Sequence, residues 1–222
     1  MAEPGGRAAE AAAAIVHCCR RLWQAGLIAG ADGNVSVRVA PTVVLVTPRG
    51  LLKADLTPAD LVPVDLSGRV LGGFRKATSE LDLHLRIYRE RSDVGAVVHA
   101  HPPTATGFAV AGEGLPADVL PELNLVLGEV PLVAYATPGT PAVGDQVAPQ
   151  VAGHEGVLLA NHGAVTWGPD LVMAQIRMES LEHAARILLA ARTAGRVTRL
   201  TLEQVQALSR PRGTSGHDQA DS

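Results

Sequence analysis

Two short apolar runs in this chain each lead to a histidine. The first is Val-Gly-Ala-Val-Val-His over residues 94–99, stopped by Pro102-Pro103. The second covers 156–160 and is followed at once by Asn161-His162-Gly163. Runs this short, without polar alternation, read as strands buried within a sheet. Around them lie segments of helical period, and strands interspersed with helices argue for an α/β layered architecture. With 222 residues the chain suffices for one sizeable domain and is short for two.

The remaining elements follow from period and punctuation. Residues 8–26 read as a first helix, Ala-rich, with Ile15, Cys18, Cys19 and Leu22 at helical spacing and glycines at 26 and 30 ending it. Val35, Val37 and Val39 alternate with Ser36 and Arg38, which predicts a half-buried strand over 33–39. Further strands are expected at 42–47, 61–66 and 130–134. Residues 79–91 form a helix with Leu81, His84, Leu85 and Tyr88 on one face, Ser79 as its cap and Asp82 in its first turn. Helices are also expected at 104–111, 141–152 and 201–208, and a long one at 170–194 whose stripe includes Leu171, Ile176, Leu181 and Leu188. Residues 1–7 read as a flexible N-terminus, 8–209 as the folded domain and 210–222, polar and Gly/Pro-containing, as a disordered tail.

Composition narrows the function classes. Hydrophobic residues make up 47% of the chain but aromatics only 3%, so the core is aliphatic. The net charge of −3 and the lack of a basic stretch leave no footprint for nucleic acid. The Ala-rich run at 8–14 is too short to span a membrane, and the N-terminus lacks the basic start and apolar core of a secretory signal. The two cysteines are adjacent, which suits a reducing compartment better than a disulfide framework. A cytoplasmic protein is expected.

Four segments carry chemistry. In His99-Ala-His101 the imidazoles stand two apart on a strand, on one face, and both can reach a single metal ion; the alternative is a pair bound to backbone in a loop. His162 follows the second apolar run in the same way, and with the pair it completes a three-imidazole site that keeps a position open for substrate. Thr78-Ser79-Glu80 sets small hydroxyls at a helix N-terminus, a position that suits a phosphate and equally suits a plain cap. Gly33-Asn34-Val35-Ser36 and Thr47-Pro48-Arg49-Gly50 are turns where backbone can approach a ligand, the second with an arginine for an anion. His84 and His183 are expected to be packed or hydrogen-bonded on helices, His154 to sit in a loop, His217 in the tail. Met173 and Met178 read as core or interface residues. Lys53 and Lys76, in polar surroundings, make poor Schiff-base nucleophiles.

Taken in order, Gly33-Asn34-Val35-Ser36-Val37-Arg38, Thr47-Pro48-Arg49-Gly50, Thr78-Ser79-Glu80, Val98-His99-Ala100-His101, Tyr135-Ala136-Thr137, Gly139-Thr140 and Asn161-His162-Gly163 resemble the class II aldolase/adducin family from about residue 8 to about residue 195. The pattern sits nearest the members that act on L-fuculose 1-phosphate. The resemblance implies a three-layer α/β/α domain around a mixed, largely antiparallel sheet, assembled as a homotetramer with active sites between subunits. It implies Zn2+ on His99, His101 and His162, with Mn2+, Fe2+ or Co2+ as alternatives. Glu80 matches the catalytic glutamate, which also ligates the metal when substrate is absent. Asn34, Gly50, Thr78 and Ser79 match phosphate-binding positions, and Gly33 and Arg49 adjoin them. The family's proton-donating tyrosine, from a neighbouring subunit, falls at Leu120, which cannot donate; Glu122 is the candidate replacement.

The implied reaction is reversible cleavage of a ketose 1-phosphate, such as L-fuculose 1-phosphate or a 5-deoxy- or 5-substituted pentulose 1-phosphate, to dihydroxyacetone phosphate and a small aldehyde. Within the family, 3-oxo-tetronate 4-phosphate decarboxylation and pentulose-phosphate 4-epimerisation are the rivals, though the epimerases typically carry Asp where Glu80 stands. Outside catalysis, the rival is an adducin-like interaction domain, which lacks the metal histidines.

Overall fold

The computed structural model describes residues 4–208, so the expected tail at 210–222, with His217, lies outside the described residues. Helix α1 (Pro4–Gln24) precedes three strands, β1 (Asn34–Ala40), β2 (Val43–Val46) and β3 (Val62–Asp65). Helix α2 (Leu81–Glu90) leads to β4 (Ala96–Ala100), then α3 (Pro103–Val110) and α4 (Pro121–Val126). Strand β5 (Leu132–Val133), α5 (Pro141–Val151), β6 (Gly156–Leu159) and β7 (Gly163–Gly168) follow, and α6 (Leu171–Ala194) and α7 (Leu202–Leu208) end the described chain. None of these helices is long and apolar enough to cross a membrane.

The strands form one open sheet in the order β3-β2-β1-β4-β7-β6-β5. Every pairing is antiparallel except β5 with β6. The two histidine-bearing runs are therefore not neighbours: β7 lies between β4 and β6. Successive strand residues face opposite layers. On one face Val35, Val98 and Leu158 pack under Ile15 and Leu22 of α1, Phe108 of α3, and Met178 and Leu181 of α6. On the other, Val44, Val97, Val157 and Trp167 pack under Leu85 and Tyr88 of α2 and Val143 and Val147 of α5. This is the expected three-layer α/β/α arrangement around a largely antiparallel sheet.

Several local expectations change. Helix α1 starts at Pro4, taking in residues 4–7 that were assigned to a flexible N-terminus. Strand β7 and helix α4 were not anticipated. The apolar stripe of α6 is Leu171, Ala174, Met178, Leu181, Ala185 and Leu188; Ile176 is 42% exposed and lies off it. Strand β1 is not half-buried: Ser36, on its supposed polar face, is wholly enclosed under α2. Ser79 does not cap α2. The helix begins a residue later, with Glu80 at the N-cap position, and it is the Thr78 hydroxyl that accepts from the Glu80 amide at 3.3 Å.

Candidate metal centre and active site

His99 sits one residue before the end of β4 and, like Val97, points into the α2/α5 layer; it is completely buried. His101 follows the strand on the same side. His162 comes from the turn between β6 and β7, where its N–H donates to the Leu159 carbonyl (3.0 Å) and Asn161 takes a left-handed φ of 56°. A non-glycine residue held there is strained, and the strain is located where the chain must turn sharply to aim His162 at β4. One nitrogen from each of the three imidazoles lies within 4.8 Å of the others.

The hydrogen bonding decides what these atoms can do. His99 Nδ1–H donates to the Ala164 carbonyl (2.9 Å), so Nε2 is the nitrogen left to face the site. That nitrogen lies 3.1 Å from Glu80 Oε2 and 3.2 Å from His101 Nε2. His101 turns its other nitrogen, Nδ1, towards Asp32 Oδ2 at 3.5 Å. Glu80 Oε1 lies 3.3 Å from His162 Nε2 and, although buried, has no hydrogen-bond partner. Three ring nitrogens and a carboxylate converge, and Glu80 Oε1 among them is left without a donor. A divalent cation satisfies such a set, and imidazole with carboxylate is the chemistry zinc prefers. The residues present therefore fit a metal ion.

The protonation states agree with this. Burial first, and His99 second, hold His162 down to about 4, and the same two causes lower His101, so both rings are neutral and ready to ligate. Burial opposes charge on His99 too, but the Glu80 carboxylate outweighs it and raises that ring. Burial also pushes Glu80 up; the neighbouring His99, with hydrogen bonds from His99 and Asn34, wins and holds it well below the usual carboxylate range. Without metal, the His99–Glu80 pair thus keeps a proton that the ion must displace. Metal uptake is expected to release protons, with affinity rising as the pH rises. Calorimetric titration with Zn2+ in buffers of different ionisation enthalpy reads this directly; a heat independent of buffer would refute it.

Glycines let the backbones close around the site. A Cβ on Gly163 would stand 2.6 Å from the Ala100 carbonyl oxygen and 2.7 Å from His101 Cδ2. Gly163→Ala is expected to cost about 2 kcal/mol and to lower Tm by roughly 4–8 °C, with weaker metal binding because His101 is displaced. Thermal unfolding with and without metal checks both. On the other side Gly33, at φ +70°, would bring a Cβ to 2.9 Å from the His99 carbonyl oxygen.

A hollow of about 430 Å³ opens beside the histidines. Gly33, Asn34, Arg49, Gly50, Thr78 and Ser79 line it together with Glu80, His101 and His162, so the three separate turns read from the sequence meet in one place. The chain matches the model of the Class II Aldolase and Adducin N-terminal domain over residues 13–189. It belongs to that family. Among class II aldolase relatives, an L-fuculose phosphate aldolase of Methanococcus maripaludis is 34% identical over 172 residues, covering 78% of this chain and 92% of that protein. A 5-deoxy-D-ribulose 1-phosphate aldolase of Bacillus thuringiensis serovar kurstaki is 33% identical over 197 residues, 88% and 92% of the two chains. A solved L-fuculose 1-phosphate aldolase superposes with a TM-score of 0.85 at 30% identity, covering 90% of this chain and 94% of that one.

Some residues fall elsewhere than expected, and others join the candidate site unannounced. Glu122 and Leu120 line a separate hollow between α4, α6 and the turn after α1, so within one chain Glu122 does not enter the pocket of the histidines. His183 lines that second hollow and is exposed, not packed. Lys53 is buried, its ammonium donating to the Ala31 (2.8 Å) and Leu51 (3.0 Å) carbonyls, which ties two pocket turns together; burial lowers its pKa. The Asn34 amide, expected at the phosphate, donates to Glu80 Oε2 at 2.9 Å. His84, expected to be packed or hydrogen-bonded, is both, with Asn34 and Ser36 as its partners. Asp32 also lines the hollow, and its only mark in the sequence is an acidic residue two before Asn34.

Proposed function

We propose that the protein is a zinc-dependent aldolase that reversibly cleaves a ketose 1-phosphate to dihydroxyacetone phosphate and a small aldehyde. The observation that carries this reading is the buried, unpartnered Glu80 Oε1 beside three converging imidazole nitrogens, a set suited to a metal ion with a carboxylate able to move a proton. His99, His101 and His162 would hold the zinc, which would supply Lewis-acid stabilisation of negative charge on substrate oxygen. Glu80 delivers a proton to C3 in cleavage and removes it in synthesis. The C4 hydroxyl loses its proton to a second group. With Leu120 at the family's tyrosine position, Glu122 of a neighbouring subunit in a homotetramer is our candidate. Gly33, Gly50, Thr78 and Ser79 line the hollow with the exposed Arg49 at its edge, a setting for the substrate phosphate. The free, buried Cys18 and Cys19 suit a cytoplasmic setting.

The test incubates metal-analysed protein with dihydroxyacetone phosphate and a panel of small aldehydes, with and without chelator. Chelator-sensitive formation of a ketose 1-phosphate is expected. A metal-loaded protein that condenses no aldehyde would overturn the aldolase and leave decarboxylase and epimerase assays; a protein that purifies without metal would favour an interaction domain.

A further inference from the structure

Behind Glu80 lies a continuous file of buried polar groups that the proton transfer itself does not use. Tyr88 Oη is 2.9 Å from Ser36 Oγ, Ser36 Oγ is 2.7 Å from His84 Nδ1, His84 Nε2 bonds Asn34 Oδ1, and Asn34 Nδ2 is 2.9 Å from Glu80 Oε2. Asn34 is 5% exposed, Tyr88 2%, Ser36 and His84 not at all. The geometry is a match of periods. Two residues along a strand advance roughly 6.6–6.8 Å, and four along a helix about 6 Å. Asn34 and Ser36 on β1 therefore interleave with Glu80, His84 and Tyr88 at the start and along one face of α2.

The direction of the hydrogen bonds follows from one end. A carboxylate only accepts, so Asn34 must turn its NH2 to Glu80 and its carbonyl to His84. His84 must then be the Nε2–H tautomer. Its Nδ1 accepts from the Ser36 hydroxyl, which in turn accepts from Tyr88. The reverse tautomer would turn the Asn34 carbonyl against the Glu80 carboxylate.

We propose that His84, Ser36 and Tyr88 are positioning residues: they hold the Asn34 amide with its N–H on Glu80 Oε2 and so leave Oε1 as the oxygen that carries the proton. Their kinetic effect rests on the aldolase reading above; the tautomer does not. The metal-loaded protein, with 15N-labelled histidine, is read by NMR, His84 being assigned by its loss in His84→Gln. Protonation at Nε2 and not at Nδ1 is expected, and an Nδ1–H ring overturns the proposal whether or not the protein is an aldolase. In the condensation assay, His84→Phe is expected to lower kcat about 10–100-fold with the KM for dihydroxyacetone phosphate and the metal content unchanged. His84→Gln, which keeps a donor towards Asn34, recovers most of the loss. The double variant with Asn34→Ala is no slower than Asn34→Ala alone. Additive losses, or a glutamine variant as slow as phenylalanine, would overturn it. Should His84→Phe not fold, Ser36→Ala decides: a lowered kcat at unchanged KM and metal content, with the ring still protonated at Nε2, supports the file, and an unchanged rate refutes it.

Discussion

Glu80→Gln is expected to retain its metal and its KM while losing about 10²–10⁴ in kcat, the range for a positioned acid–base group. The reasoning is steric as well as electrostatic. Glutamine keeps the shape of the side chain, and its carbonyl oxygen can still accept the Asn34 N–H that now reaches Oε2. What it removes is the carboxylate oxygen that lies buried and unpartnered beside His162. The amide cannot take a proton from C3 or return one. Steady-state kinetics with metal analysis of the same sample make the check. Wild-type turnover in the variant removes Glu80 from proton transfer, and a loss explained by missing metal would make it a ligand only.

His99→Ala is expected to abolish both turnover and the stabilisation that metal confers. His99 is the most enclosed of the three imidazoles and is fixed by its bond to the Ala164 carbonyl across the β4–β7 pairing. In the unaltered protein, metal at a hundred times its Kd adds about 2.7 kcal/mol, which raises Tm by roughly 5–11 °C for a domain of this size. With His99 gone, two imidazoles remain and that shift should vanish. Thermal scans of both proteins with Zn2+ and with chelator measure it. A metal-dependent rise that survives in His99→Ala would place the ion elsewhere, and full activity in chelator would end the metal reading.

Much of the site was readable before any coordinates because its residues stand at breaks in local period. His99 and His101 end an apolar run, Glu80 opens a helix, and the glycines at 33 and 163 mark turns. Local period is also why α1 and the stripe of α6 were largely found. It failed where the deciding contact was remote. Strand β7 is a six-residue segment, bounded by glycines and followed at once by Pro169, and it gains its place only by pairing with β4 on one side and β6 on the other. Ile176 fits a helical stripe on paper, but the sheet lies on the other side of α6.

Residue type and spacing along the chain carry the family, the layered class and the identity of three imidazoles and a carboxylate. How their hydrogen bonds run is set by the packed fold. That β1 lies against α2 makes Asn34 a partner of Glu80 and brings His84 behind it. It also leaves Glu122 in a hollow apart from the three imidazoles. Those relations join residues far apart in the chain, and the physics that sets them is the packing of one layer on another, which no local period encodes.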